Sequence, residues 1–200
     1  MTSQPPVAPV PTPGSRTPSG PVAVLVGPMG AGKSTVGKAL AKVLQVPFHD
    51  TDDAIVAAAG QPIPKIFATE GEPYFRDLEQ RLVLAALRDQ TGVVALGGGA
   101  PVRAATQAAL QAYCEAGGTV VFLDVTPAAA AARVGKGRKR PMLSGQGAGR
   151  WAELAEQRRP AYLAVANLTL LTDGAGPAAN AKRLAQLLRE FRPRSSRGGA

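Results

Sequence analysis

Short runs of β-branched and other apolar residues alternate along the chain with longer alanine- and leucine-rich stretches whose apolar positions recur every three or four residues. The short runs predict strands over Val22–Val26, Val46–Asp50, Val93–Leu96, Thr119–Asp124 and Leu168–Thr172. The longer stretches predict helices over Lys33–Leu44, Pro73–Gln90, Val102–Cys114 and Pro177–Phe191. Such alternation implies a parallel sheet covered by helices on both faces. Two regions break it. Between Asp52 and Gly71 two short helical pieces flank Gly60-Gln61-Pro62 where one crossover helix would suffice, and an insertion at a strand end is a place for a substrate pocket. From Gly135 to Gly149 five glycines and no steady periodicity predict a mobile loop.

Composition adds the ends. Proline, serine, threonine and glycine dominate Met1 to Gly20, with too few bulky apolar residues to offset chain entropy, so residues 1–20 are expected to be a disordered extension. Residues 192–200 read as a basic disordered tail, which leaves one domain over 21–191 and no internal repeat. With 45% hydrophobic and 18% charged residues the body should fold. A single cysteine, Cys114, excludes an intrachain disulfide, and it reads as a small apolar residue late in a helix. The only histidine, His49, leaves little room for a Ser/His/Asp relay. Val22–Val26 is too short for a signal core or a membrane span, and the first fifteen residues hold no Lys or Arg, so a cytoplasmic protein is expected.

Net charge of +9 suits a polyanion, and its location is more informative than its size. Lys136, Arg138, Lys139 and Arg140 fall in the glycine-rich stretch, whereas Arg192, Arg194 and Arg197 fall in the tail. With aromatic residues at only 4% there is no stacking platform for single-stranded nucleic acid, so neither nucleic acid nor membrane is expected as a partner.

The segment GPMGAGKS, Gly27 to Ser34, has the full P-loop spacing, follows a predicted strand and opens a predicted helix. Its glycines let successive N–H groups point into one concavity, and the helix adds its positive end. Gly30, Ala31, Gly32, Lys33, Ser34 and Thr35 are the candidate nucleotide contacts, with Lys33 on the outer phosphates and the Ser34 hydroxyl on Mg²⁺. ATP or GTP binding is the strongest local inference.

Three further features bear on the acceptor. Asp50 and Asp52 lie two apart at the end of the second strand, on one face if the strand continues, facing the crevice where open α/β sheets bind ligands. One would support Mg²⁺ through water and the other an acceptor hydroxyl; alternatively, Asp50 caps the following helix. Gly97, Gly98 and Gly99 end the third strand at an entropic cost that a close ligand would explain, although a tight turn would too. Arg76, one turn before Glu79, is pre-aimed at an anionic ligand or forms an ordinary surface pair.

Together GPMGAGKST, Asp50-Thr51-Asp52, IFATEGEPYFRDLE from Ile66, LGGGA from Leu96, RPML from Arg140 and RRPAY from Arg158 resemble the shikimate kinase family over nearly all of 21–191. The resemblance implies a three-layer, nucleoside-kinase-like P-loop fold: a five-stranded parallel sheet flanked by helices, a substrate-binding helical insertion over about 52–81 and a lid over about 135–149. It implies an ATP-dependent kinase that phosphorylates shikimate with Mg²⁺ and acts as a monomer. Lys33, Asp52 and Arg140 would be catalytic, Asp52 as the candidate base and Arg140 as a lid residue closing on the phosphates. Arg76 and Arg158 would grip the shikimate carboxylate with Gly98 and Gly99 beside it, Ser34 and Asp50 would hold Mg²⁺, the latter through water, and Arg133 would lie near the adenine. Ala175-Gly176-Pro177 departs from the family, which often carries a basic residue just before that proline. Kinases of gluconate or of nucleoside monophosphates share the cradle and lid and are the nearest alternatives.

Overall fold

The structure is a computed structural model that describes residues 20–134 and 146–191. Residues 1–19, with most of the expected extension, the tail 192–200, and Lys136, Arg138, Lys139 and Arg140 with most of the expected lid, lie outside the described residues.

Five strands, β1 (Ala23–Val26), β2 (Phe48–Asp50), β3 (Val93–Ala95), β4 (Val120–Asp124) and β5 (Leu168–Leu171), form one sheet in the order β2-β3-β1-β4-β5. Every pairing is parallel, with Val24 opposite Val94 on one side and Val120 on the other. All five carboxyl ends therefore leave from one edge, and the turns after β1 and β3 are neighbours there. The central strands β1, β3 and β4 are apolar on both faces, as a doubly covered parallel sheet requires, whereas the edge strands β2 and β5 are only partly buried. Ala23, Leu25, Val121 and Leu123 pack on one side with α1 (Lys33–Leu44) and α8 (Pro177–Glu190). Val24, Val26, Val120 and Phe122 pack on the other with α4 (Gly71–Asp89), α5 (Ala104–Glu115) and α7 (Gln146–Val165).

The insertion predicted after β2 consists of α2 (Thr51–Ala59), α3 (Ile63–Thr69) and the start of α4. Ile55, Ile66, Phe75 and Leu78 give it a small buried core, with the Phe67 and Phe75 rings 4.5 Å apart. That core makes the insertion a fixed shelf beside the sheet edge.

Several boundaries move. β2 starts at Phe48 rather than Val46, α4 starts at Gly71 rather than Pro73, and a 3-10 turn over Ala100–Val102 delays α5 to Ala104. The helices α6 (Pro127–Val134) and α7 were not anticipated. Because α7 begins at Gln146, the last four residues of the loop expected over 135–149 are helical. Pro160 sits inside α7, where its missing N–H leaves the Glu156 carbonyl without the usual helical partner.

Candidate active site

A cavity of about 870 Å³ opens at the carboxyl edge of the sheet, large enough for a nucleotide and a small acceptor together. Its lining includes Gly30, Gly32, Lys33, Ser34 and Thr35 of the P-loop, Asp50 and Asp52 after β2, Gly98 and Gly99 after β3, and Arg133 and Arg158. Ala31 faces the core and is fully buried instead.

The loop between β1 and α1 turns on glycine. Gly27 has φ 143°, and a Cβ there would lie 2.5 Å from the Leu123 carbonyl, so no other residue fits. Gly32, with φ 93°, is the N-cap of α1, whose first residues are Lys33 and Ser34. Lys33 Nζ donates to the carbonyls of Gly27 at 2.8 Å and Pro28 at 3.0 Å, which holds the ammonium over the loop mouth.

The Asp50-Thr51-Asp52 triplet is not strand throughout. Asp50 is the N-cap of α2, its Oδ1 accepting the Asp52 amide at 3.0 Å, so the alternative capping role is the one observed. The two carboxylates consequently do not share a strand face; Asp52 stands in the first turn of α2. Asp50 does more than cap, because its Oδ2 accepts the Ser34 hydroxyl at 2.6 Å. A hydroxyl and a carboxylate side by side at the start of the P-loop helix are oxygen donors suited to Mg²⁺, which keeps several waters and binds through one or two protein ligands plus phosphates. Among the described residues no group of three or more His, Cys, Asp or Glu side chains gathers to hold a metal.

Thr51 is buried, and its hydroxyl accepts the Gly97 amide at 3.0 Å, tying the start of α2 to the glycine turn. A Cβ on Gly97 would lie 2.7 Å from Glu79 Oε1 and 2.8 Å from Asp52 Oδ1, and one on Gly99 would collide with the Arg76 guanidinium. The triple glycine therefore serves the site in a way not foreseen: it lets a cluster of charged side chains press against bare backbone. Glu79, buried in α4, accepts from Arg76 Nη1 at 2.8 Å, and Glu72 accepts from Arg76 Nε at 3.2 Å. Burial pushes the Glu79 carboxyl above its usual range; Arg76 pulls it back, the Asp52 charge adds to the rise, and Arg158 opposes it. Arg76 does not itself line the cavity but backs onto Gly99, which does.

Arg133 joins the other end. Its guanidinium donates to the Thr172 hydroxyl at 2.9 Å, to the Thr172 carbonyl and to the Gly30 carbonyl at 3.4 Å. Asn180 of α8 donates to the Thr172 and Ala175 carbonyls, both at 3.1 Å, and shapes a corner in which Ala175, Gly176, Pro177 and Asn180 line the cavity. Thr172 and Asn180 were not anticipated, and nothing in their spacing marks them.

Helix α7 forms the remaining wall through Trp151, Leu154, Ala155, Arg158 and Tyr162. Trp151 Nε1 donates to the Met29 carbonyl at 3.0 Å and the Tyr162 hydroxyl to the Gly98 carbonyl at 2.6 Å. Burial raises the Tyr162 hydroxyl to about 12, with Arg158 working against the rise, so it remains a donor at neutral pH. Arg159 turns away from the cavity to a bidentate pair with Asp124, at 2.7 and 2.6 Å. Trp151 was not singled out from sequence, and Arg159 and Tyr162 were noticed only within RRPAY.

A family model described as shikimate kinase matches residues 29–189. The shikimate kinase of Salinispora arenicola (strain CNS-205) is 50% identical over 168 residues, which cover 84% of this chain and 98% of that protein. That of Rhodococcus jostii (strain RHA1) is 42% identical over 171 residues, or 85% and 99% of the two chains. Among solved structures, shikimate kinase from Acinetobacter baumannii in complex with shikimate superposes with a TM-score of 0.77 at 33% identity, over 86% of this chain and 95% of that one.

Proposed function

Because the chain belongs to the shikimate kinase family of ATP-dependent kinases, we propose that its cavity moves the γ-phosphate of ATP to the 3-hydroxyl of shikimate, giving shikimate 3-phosphate and ADP on the route to chorismate and the aromatic amino acids. The observation that carries the reading is one cavity holding Lys33 and Ser34 of the phosphate cradle together with Asp52, Gly98, Gly99 and Arg158.

ATP occupies the P-loop, its phosphates taking up the amides of residues 30–35 and drawing Lys33 Nζ from the Gly27 and Pro28 carbonyls. The nucleoside lies toward Arg133 and the Ala175–Pro177 corner. Mg²⁺ would be held by Ser34 and through water by Asp50, and would supply neutralisation of phosphate charge. Arg158 on the cavity wall offers a guanidinium fork to the shikimate carboxylate, and Arg76, held behind Gly99 by Glu79 and Glu72, reaches the same carboxylate from beside that turn. Asp52 receives the hydrogen bond of the acceptor hydroxyl and takes its proton as the oxygen attacks phosphorus. Most of the acceleration comes from alignment and from Lys33 and Arg140 stabilising charge on the transferred group, with proton removal secondary. Arg140 comes to this role by resemblance, from a lid over about 135–149. No described helix is long and apolar enough to cross a membrane. By resemblance to the family alone, the enzyme acts in the cytoplasm as a monomer.

The carboxylate grip is tested by pairing variants with a modified acceptor. Arg158→Ala and Arg76→Ala should each raise the KM for shikimate more than about tenfold, the size expected for a lost charged hydrogen bond. Shikimate methyl ester should be a poor substrate for the parent enzyme and be discriminated far less by the variants. Equal use of acid and ester by the parent would remove the proposed role of both arginines.

A further inference from the structure

Helix α7 meets the site at two points that the phosphate cradle and the acceptor groups leave unexplained. Trp151 and Tyr162 are eleven residues apart, about three helical turns, so they project from one face together with Leu154, Ala155 and Arg158. The acceptors of their hydrogen bonds are both backbone carbonyls, Met29 in the P-loop and Gly98 in the glycine turn. No described peptide is cis, and in a trans peptide the C=O and the following N–H point in opposite directions. Drawing the Met29 carbonyl towards α7 thus turns the Gly30 N–H away from the helix, and drawing the Gly98 carbonyl does the same for the Gly99 N–H. The two loops also abut, since a Cβ on Gly98 would lie 3.5 Å from the Gly27 carbonyl oxygen and 3.6 Å from the Met29 nitrogen.

We propose that Trp151 and Tyr162 are positioning residues, and that α7 is a gauge which hydrogen-bonds both loops and sets the distance and angle between phosphate donor and acceptor. The gauge is itself fastened to the sheet. Arg159, next to Arg158, pairs with Asp124 at the end of β4 and lies over the Phe122 ring at 5.4 Å, and the Tyr162 ring stacks on the same Phe122. Neither aromatic residue takes part in the chemistry; each acts through the backbone it holds. The proposal rests on the reading that the acceptor lies against Gly98 and Gly99.

Trp151→Phe and Tyr162→Phe each keep a ring and remove one donor, so steady-state kinetics on the full-length variants, with melting temperatures alongside, test the gauge. Each single variant should lose roughly tenfold in kcat, in line with the steep dependence of rate on reactant alignment. Trp151→Phe should raise the KM for ATP and Tyr162→Phe that for shikimate, each leaving the other KM within about twofold. In the double variant the kcat loss should be clearly smaller than the product of the two, because alignment lost once cannot be lost again. Unchanged kcat and KM values beside a lowered melting temperature would mean a merely structural role and overturn the proposal, as would losses that multiply independently. If Trp151→Phe does not fold, Tyr162→Phe alone decides, since it removes a single hydroxyl. A parent enzyme without shikimate turnover would overturn the acceptor reading and this proposal with it, whereas an active parent beside unaffected variants overturns this proposal alone.

Discussion

Arg76, Glu79, Asp52 and the glycines at 97 and 99 form one packing unit in which charged side chains rest on main chain that carries no Cβ. Gly99→Ala would push its methyl into the Arg76 guanidinium, the far end of a flexible side chain that can swing aside. The fold should therefore survive while Arg76 leaves Glu79, and the KM for shikimate is expected to rise roughly tenfold, as for other misplaced binding groups; titration of shikimate against the folded variant checks it. Glu79 sets a pH dependence. Its carboxyl is raised by burial, so the folded state favours the protonated form and this group's contribution to stability falls as pH rises through its folded pKa. The stability deficit of Glu79→Gln, measured by urea midpoints from about pH 4 to about pH 8, should shrink as pH rises. Protonation of Glu79 also loosens Arg76, so the parent's KM for shikimate should climb on the acid side, and Glu79→Gln should flatten that climb. The Arg76–Glu79 spacing was legible in the sequence, and so was the P-loop. What joins Glu79 to Asp52 was not, because α4 and α2 come together only in the folded insertion, through Ile55, Phe75 and Leu78, with the glycine turn against both carboxylates.

At the scale of elements, α1 is pressed against β2 so closely that a Cβ on Gly37 would sit 2.5 Å from the Phe48 ring and 3.1 Å from Leu25. Gly37→Val should cost about 1–3 kcal/mol of stability through overpacking. It should also weaken Mg²⁺-dependent ATP binding, since α1 carries Ser34 and β2 leads to Asp50, which meet at 2.6 Å. Denaturation and nucleotide titration of the one variant measure both. The helices with steady apolar periodicity, α1 and α8, were found almost to the residue. Helix α7 was hidden by Pro160, which reads as a breaker, and by Gly147 and Gly149 near its start, so packing against β4 and the two loops decides where propensity does not. The strand ends at Asp50 as expected and does not persist to Asp52 for a local reason: an aspartate that can cap a helix ends the strand at once.

The whole molecule brings the P-loop and the glycine turn, the proposed seats of the two substrates, to one sheet edge because β1 and β3, which they follow, are adjacent and parallel. This topology was legible as a class, since alternating strands and helices allow few other arrangements, but the cavity wall supplied by α7 was not. ATP with Mg²⁺ should bind the folded state only, and at about a hundredfold excess over Kd it should raise the melting temperature by about 5–10 °C. Lys33→Met should lose most of that rise. The central claim concerns the acceptor, and the most direct test is ADP release, coupled to an optical readout, with shikimate, gluconate and nucleoside monophosphates offered separately. Sustained ADP formation with shikimate, and only background with the others, is the predicted result; faster turnover of gluconate or a nucleoside monophosphate would contradict it.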